Sequence, residues 1–220
     1  MERLLSDKLT KTLFHGTLMD RAACIYNDGI DFNKLGDKAD FGKGFYLTDS
    51  YALAEKTARL RYNQEKMSNG SSYPPVVIKF RLIKNWHWDN LNIKEFYGDS
   101  VEWRKFVCTN RWYDKILKKY PNCEHNTDRK YDIVIGLTAD GKMKNINRRL
   151  KDNHYDLTED FLKNINPIMS EYTKYINGKK IINKTKSYQI SIHNESFLKS
   201  CIRYKDYDII QLVKEGEHYE

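Results

Sequence analysis

The sequence predicts an α+β fold in which mostly antiparallel strands and flanking helices form a single domain over residues 1–220. Short runs rich in β-branched and aromatic residues are typical of strands, and stretches with apolar residues at helical spacing lie between them. The two kinds of segment do not alternate as βαβ units do, which argues against a doubly wound parallel sheet. The chain carries neither an internal repeat nor a low-complexity linker, so one domain accounts for its length.

Four segments predict strands of the core. They occupy residues 10–15, 75–82, 131–137 and 187–193. A fifth, short aromatic strand is expected where Phe45 and Tyr46 follow two closely spaced glycines. The segment MSNGSSYPP at residues 67–75 predicts a loop, because Gly, Ser, Asn and Pro interrupt regular structure.

Four segments predict helices, at residues 20–27, 51–65, 101–120 and 157–175. Gly29 is expected to end the first of them. In the third, apolar residues from Phe106 to Tyr120 recur at helical spacing. Pro167 lies inside the fourth and predicts a kink or a division there.

The composition indicates a soluble, cytoplasmic protein that does not associate with membranes. No segment approaches the roughly 20 apolar residues that span a bilayer. The cysteines at positions 24, 108, 123 and 201 have no zinc-binding spacing, so we expect reduced thiols and no metal. The net charge of +8 favours encounter with polyanions, although lysines scattered along a chain also describe an ordinary solvated surface.

The first unusual segment is LFHGT at residues 13–17, an apolar strand that ends on a histidine and a glycine. Gly16 would let a ligand approach the backbone, because no Cβ covers the amide and carbonyl groups. Taken alone, His15 is better explained as a surface or structural residue, because a lone histidine at the end of a strand is more often one of these.

The second unusual segment is DFGKGFYLTD at residues 40–49. Its two glycines permit a tight turn with positive φ, and Tyr46 offers an aromatic face for stacking. Taken alone, this segment is better explained as a glycine hairpin with a tyrosine in the core.

Together and in this order, the two segments resemble the motifs of the ADP-ribosyltransferase superfamily, in particular its diphtheria-toxin and poly(ADP-ribose) polymerase branch. In that branch a strand ending in His-Gly-Ser or His-Gly-Thr precedes a helix and then Phe-Gly-Lys-Gly-Ile-Tyr-Phe-Ala-Asp. Here FHGT and FGKGFYLTD correspond to the two motifs. A bacterial subgroup of uncharacterised domains shares them and has a late Tyr-Asp-Ile-Val-Ile-Gly strand, which matches residues 131–136 here.

The resemblance implies a split pair of mostly antiparallel sheets with a central NAD+ cleft. It implies that His15 hydrogen-bonds a hydroxyl of the adenosine-side ribose and that the Gly16 backbone holds the nicotinamide carboxamide. It also implies that Tyr46 stacks on the nicotinamide ring. The other candidate NAD+-binding residues are Thr17 and Gly44, which belong to the same motifs, and Tyr51, which would supply a second stacking ring.

The third motif of the superfamily is a late strand of the pattern Glu-Tyr-x-Val-Tyr, and the matching segment here places Gln189 where the glutamate is expected. Cleavage of the bond between nicotinamide and ribose passes through an oxocarbenium-like state, which a carboxylate stabilises. A glutamine can hold ribose hydroxyls, but it is uncharged and cannot act as a general base. Glu102 and Asp132 are candidates for the missing charge. Glu102 is also explained as an acidic residue in the first turn of a helix that Ser100 caps.

The expected function is that of a mono-ADP-ribosyltransferase, which moves ADP-ribose from NAD+ to a protein or nucleic-acid acceptor and releases nicotinamide. The resemblance to the bacterial subgroup also suggests a toxin or phage-defence effector with an antitoxin protein as its partner. Two alternatives remain open at this stage. One is a catalytically silent module that binds NAD+ or ADP-ribose, and the other is a basic nucleic-acid-binding protein whose glycine motifs are structural.

Overall fold

A computed structural model describes residues 12–82, 90–139, 143–167, 172–176, 179–183 and 187–210. These residues form a mixed α+β protein. The strands are β1 Leu13–Leu18, β2 Phe45–Thr48, β3 Pro75–Leu82, β4 Ile93–Glu95, β5 Ile133–Leu137, β6 Tyr172–Ile176, β7 Lys179–Asn183, β8 Tyr188–Ile192 and β9 Ile202–Ile209. The helices are α1 Met19–Asp28, α2 Tyr51–Asn69, α3 Val101–Arg111, α4 Tyr113–Lys119, α5 Met143–Asp152, α6 Glu159–Lys163 and α7 Glu195–Cys201.

Seven of the strands form one mostly antiparallel sheet in the order β4-β5-β8-β2-β1-β3-β9. The pairing of β4 with β5 is parallel. Strands β6 and β7 pair with each other as a separate antiparallel ribbon. The predicted mixture of helices with a mostly antiparallel sheet is therefore confirmed.

The large sheet is continuous, but the junction between β1 and β2 is its weakest point. These two strands share the single register pair Phe14–Thr48. By contrast, β1 pairs with β3 from Leu13 to Leu18, and all four residues of β2 pair with β8. The expected division into two sheets is thus present only as a reduced contact at β1 and β2.

Strand β5 is buried on both faces of the sheet, because successive side chains along a strand point to opposite faces and all five of its residues are buried. Ile133 and Ile135 join one apolar cluster, whereas Val134, which lies between them, joins another. Helices α1 and α7 cover the first cluster. Helix α3 covers the second through Trp103, which is fully buried.

The strand predictions agree with the structure to within a few residues, and β3 has the predicted bounds. Residues 10 and 11 of the first predicted strand lie outside the described residues. Helix α2 continues to Asn69, where Gly70 in the left-handed conformation (φ 74°) ends it, so the predicted loop begins later than expected. The predicted helix at 101–120 is two helices, because the chain changes direction at Trp112 (φ −127°).

The predicted helix at residues 157–175 is wrong. A single short helix, α6, follows the N-cap Thr158 and ends before Pro167. Its successor β6 has the sequence YTKYI, which is rich in the β-branched and aromatic residues that favour strands. The helices α5 and α7 and the short strand β4 were not predicted.

Two further properties concern the described part of the chain. None of its helices is long and apolar enough to cross a membrane. Cys24, Cys108 and Cys123 carry free thiols.

Candidate functional site

A cavity of about 260 Å³ opens where β1 and β2 part. Its walls come from β1, β2 and β8, from helices α2 and α3, and from the segment that precedes the glycines of the second motif. Four residues that the sequence singled out line it: His15, Gly16, Tyr46 and Gln189. The structure therefore brings together three motifs that are far apart in the chain.

The His15 imidazole bridges the two strands at the point where their backbone pairing stops. Its Nδ1 lies 2.7 Å from the carbonyl oxygen of Tyr46, and its ring stacks on Phe45 with centroids 4.6 Å apart. Because a carbonyl only accepts hydrogen bonds, Nδ1 must carry the proton and Nε2 must be an acceptor. Burial, together with the positive charge of Arg61, lowers the pKa of His15 to about 3. His15 is consequently a neutral hydrogen-bond acceptor at physiological pH.

The hydroxyl of Tyr46 is bound to the turn that precedes its own strand. It donates to the carbonyl oxygen of Gly42 at 2.7 Å and accepts from the backbone N–H of Phe41 at 2.9 Å. Burial, reinforced by the charge of Asp40, raises the pKa of Tyr46 above its usual range. Gly42 has φ 86°, as the sequence predicted for the entry to this strand. The tyrosine ring is thus a neutral, fixed wall of the cavity.

Gly16 is required by the packing of helix α2. A Cβ atom on Gly16 would lie 1.8 Å from the carbonyl oxygen of Ala54 and 2.9 Å from the backbone nitrogen of Ala58. Such distances are far below any van der Waals contact, so this glycine allows the helix to lie directly against β1. The side of Gly16 on which a Cβ would stand faces helix α2, and Gly16 also lines the cavity.

Gln189 belongs to a buried polar cluster with Asp40 and Arg111. Its Nε2 donates to Asp40 Oδ2 at 2.5 Å. The same carboxylate accepts from Arg111 Nε at 2.5 Å and from the backbone N–H of Ala139 at 2.9 Å. Asp40 is 4% exposed and Gln189 is 7% exposed, and both line the cavity. A carboxylate therefore lies beside the glutamine, and it belongs to neither of the two candidates, Glu102 and Asp132, that the sequence suggested.

The remaining candidate NAD+-binding residues do not line the cavity. Thr17 is buried, and its hydroxyl oxygen accepts from Arg61 at 3.3 Å. Gly44 makes room for β8, because a Cβ there would lie 2.4 Å from Ser191 Oγ. Tyr51 begins helix α2 and packs edge-on against Phe14 with ring centroids 5.4 Å apart.

Glu102 is not brought to the cavity. Its side chain is 62% exposed and binds Lys94 Nζ at 2.6 Å. It stands in the first turn of α3 behind the N-cap Ser100, as the structural interpretation of this residue predicted. Asp132 also lies elsewhere, since it accepts hydrogen bonds from the backbone of Asn92 and from the side chain of Asn194.

Sequence reasoning missed several polar residues of the cavity, among them Asp40, Arg111, Arg61 and Thr138. Asp40 directly precedes the second motif, and this position was the one available signal. The two arginines come from the interiors or ends of helices and give no local signal. Thr138 Oγ1 is buried and has no hydrogen-bond partner among the described residues, as expected of a group that meets a ligand. Those residues also contain no cluster of His, Cys, Asp and Glu that could hold a metal ion.

The fold and the site define an α+β protein with a histidine-tyrosine-glutamine cleft at the weakest junction of its sheet. The model of the family described as "Protein of unknown function (DUF3990)" matches residues 12–204, and the chain belongs to this family. No curated protein and no solved structure matched the chain.

Proposed function

We propose that this protein is a mono-ADP-ribosyltransferase that cleaves NAD+, transfers ADP-ribose to a macromolecular acceptor and releases nicotinamide. The observation that carries the proposal is the convergence of His15, Tyr46 and Gln189 on one cavity. These are the residue types, in the same chain order, that the resemblance to the superfamily assigns to NAD+ binding, with glutamine in place of glutamate.

The cavity offers suitable partners for each part of the dinucleotide. The acceptor Nε2 of His15 suits a ribose hydroxyl, and the ring of Tyr46 suits the nicotinamide. Lys38 and Arg61 line the same cavity and provide positive charge for the diphosphate. Ligand sites for drug-sized molecules span about 300–1,000 Å³. A volume of about 260 Å³ therefore suits the nicotinamide riboside half, with the adenosine half bound closer to the surface.

For this reaction the protein has to orient NAD+ and the acceptor and to stabilise the charge that develops on the ribose. As the glycosidic bond to nicotinamide breaks, positive charge develops on the ribose, and acceptors held close to its hydroxyls and ring favour that state. Gln189 provides an amide oxygen for this purpose. Nicotinamide leaves with the bonding electron pair, the acceptor's nucleophilic atom forms the new bond to the ribose, and the proton of that atom is released to solvent.

The test is release of nicotinamide and transfer of label from NAD+ labelled in its adenine half. A cell lysate and purified nucleic acids are offered in parallel as acceptors. We expect covalent label with the wild-type chain and its loss in His15→Ala and Tyr46→Ala. Tyr73→Ala, which changes a tyrosine that is 59% exposed, serves as the control and retains activity. Release of nicotinamide that is the same in wild type and in His15→Ala would refute the proposal.

A second candidate is a silent module that binds NAD+ without cleaving it. The observation that favours it is the ion pair between Asp40 and Arg111, which offsets the negative charge nearest to Gln189. This module would show saturable NAD+ binding, sensitive to His15→Ala, without any release of nicotinamide. A role as a toxin with a neutralising antitoxin is a further proposal, and it predicts growth arrest when the wild-type chain, but not His15→Ala, is expressed.

A further inference from the structure

The orientation of the Gln189 amide is fixed by its surroundings. Nε2 lies 2.5 Å from a carboxylate oxygen of Asp40 and 3.5 Å from the carbonyl oxygen of Leu137. An ionised carboxylate and a carbonyl both act as acceptors only, so the NH2 end of the amide must face them. The oxygen end, Oε1, must then face the other way.

Gln189 Oε1 is the end of the amide that is available to a ligand. Within the described residues it accepts no hydrogen bond, and it is not among the polar atoms that are buried without a partner. Gln189 lines the cavity, which is the open space beside it. The amide thus presents an acceptor to the cavity and keeps its donors on the protein side.

We propose that Asp40 is a positioning residue that holds Gln189 Oε1 toward the nicotinamide-side ribose, so that the pair together replaces the single glutamate of the related enzymes. This inference rests on the proposed function. Both oxygens of the Asp40 carboxylate already accept hydrogen bonds, from Arg111 Nε and from the backbone N–H of Ala139, so Asp40 faces Gln189 as an acceptor. A charge-assisted hydrogen bond to the NH2 group also polarises the amide and makes Oε1 a better acceptor.

The same cluster explains why residue 189 is not a glutamate in this chain. A carboxylate at that position would lie within hydrogen-bond distance of Asp40. Two carboxylates that share such a site repel each other, which disfavours ionisation of both. The amide of Gln189 thus faces the ribose, and the carboxylate of Asp40 lies behind that amide. Compared with an arrangement that has a glutamate at position 189, the carboxylate and the amide have exchanged positions.

This exchange can be tested by reversing it. Three variants are compared with the wild type: Asp40→Asn, Gln189→Glu and the double variant Asp40→Asn/Gln189→Glu. The double variant again contains one carboxylate and one amide, so the cluster with Arg111 keeps its net charge. The hydrogen bond between the two residues is reversed, and the backbone N–H of Ala139 loses its acceptor on residue 40. Asp37→Asn is the matched control, because Asp37 is 65% exposed and pairs only weakly with Lys43 at 3.5 Å.

We expect each single variant to lower kcat for nicotinamide release by about a hundredfold, as misplacement of a catalytic group does, with a smaller change in KM. The kcat of the double variant should be at least tenfold higher than that of either single variant. The double variant should also recover part of the thermal stability that Asp40→Asn loses together with the ion pair between Asp40 and Arg111. Effects of the two single changes that simply add in the double variant would overturn the inference.

A second readout does not depend on turnover. The side-chain amide of Gln189 should give a ¹H–¹⁵N signal that is shifted downfield and exchanges slowly with solvent, and Asp40→Asn should move that signal toward the values of a free glutamine. An amide signal that Asp40→Asn leaves unchanged would overturn the positioning role. A wild-type chain that shows this signal but neither binds nor cleaves NAD+ would instead refute the proposed function, so the two failures can be told apart.

Discussion

At the scale of single residues, two histidines are held neutral in the folded chain. Burial is the main cause in both: it lowers the pKa of His15 to about 3 and that of His193 to about 4. His193 supports the second motif through a contact of 2.9 Å between its Nδ1 and the carbonyl oxygen of Lys43. In the unfolded chain both pKa values return to about 6.5. Between the folded and unfolded values, the unfolded chain therefore binds protons that the folded chain does not.

This difference predicts acid sensitivity of the fold. The free energy of unfolding should be unaffected by these groups above pH 6.5 and should fall as the pH drops from 6.5 toward 4, by about 1.4 kcal/mol per pH unit for each proton. Urea denaturation at pH 7 and pH 5 measures it. His193→Gln should reduce the dependence on pH, because it removes one of the two groups whose pKa is lowered by folding. Equal slopes in the wild type and in His193→Gln would contradict the assignment.

The hydroxyl and the ring of Tyr46 have separable roles. Tyr46→Phe leaves the backbone N–H of Phe41 without its acceptor, so we expect a loss of about 1–3 kcal/mol in the free energy of unfolding. The ring remains, so KM for NAD+ should change little. Tyr46→Ala removes the ring too, so it should lower the free energy of unfolding and should also raise KM for NAD+ strongly. The two variants are compared by denaturation and by initial rates; a phenylalanine variant as impaired in NAD+ binding as the alanine variant would show that stacking is not the role of the ring.

At the scale of elements, the contact between β1 and helix α2 decides the shape of the cavity floor. Gly16→Ala would place a methyl group 1.8 Å from the backbone of the helix, which must then move away. We expect destabilisation of about 3 kcal/mol or more, because the obstructing atoms are backbone and cannot rotate away. Chemical denaturation measures it.

Gly36→Ala is the control for that substitution. Nothing lies within 4 Å of a Cβ at Gly36, so the change should be neutral or slightly stabilising through the unfolded chain. If the two glycine variants were equally stable, the close approach of α2 to β1 would be disproved.

At the scale of the whole molecule, the proposals of NAD+ binding and the alternative of nucleic-acid binding predict different ligands. NAD+ at a hundredfold excess over its Kd should stabilise the chain by about 2.7 kcal/mol. For a chain of this size that corresponds to a rise in Tm of about 2–4 °C per kcal/mol. Thermal denaturation with and without NAD+ measures the shift, and His15→Ala should abolish it. A wild-type Tm that is insensitive to NAD+ would argue against both NAD+-binding proposals.

The alternative of a basic nucleic-acid-binding protein depends on the charge of +8 alone. It predicts binding to DNA or RNA that weakens steeply with salt and does not respond to His15→Ala or Tyr46→Ala. Titrations at two salt concentrations with these variants distinguish the alternatives. Binding that requires His15 would instead mark the nucleic acid as an acceptor at the same cleft.

The sequence by itself determined the elements whose signals are local. The β3 strand, the N-cap Ser100 and the positive φ of Gly42 all follow from residue types within a few positions of each other. The same is true of the motif residues His15 and Tyr46. The prediction of a long helix at residues 157–175 was wrong, because the helical spacing of its apolar residues was given more weight than the strand-forming residues that follow Pro167.

Only the tertiary structure decided what surrounds Gln189. Asp40 lies 149 positions away from Gln189 and 71 from Arg111, and no periodicity or spacing connects residues at such separations. Strand β8 lies beside β2 in the sheet, so Asp40, in the segment before β2, lies close to Gln189 on β8. The sequence places a glutamine at the position where the resemblance implies a glutamate; only the fold shows that the carboxylate of Asp40 lies against its amide, because hydrogen bonding and burial depend on distance in space and not along the chain.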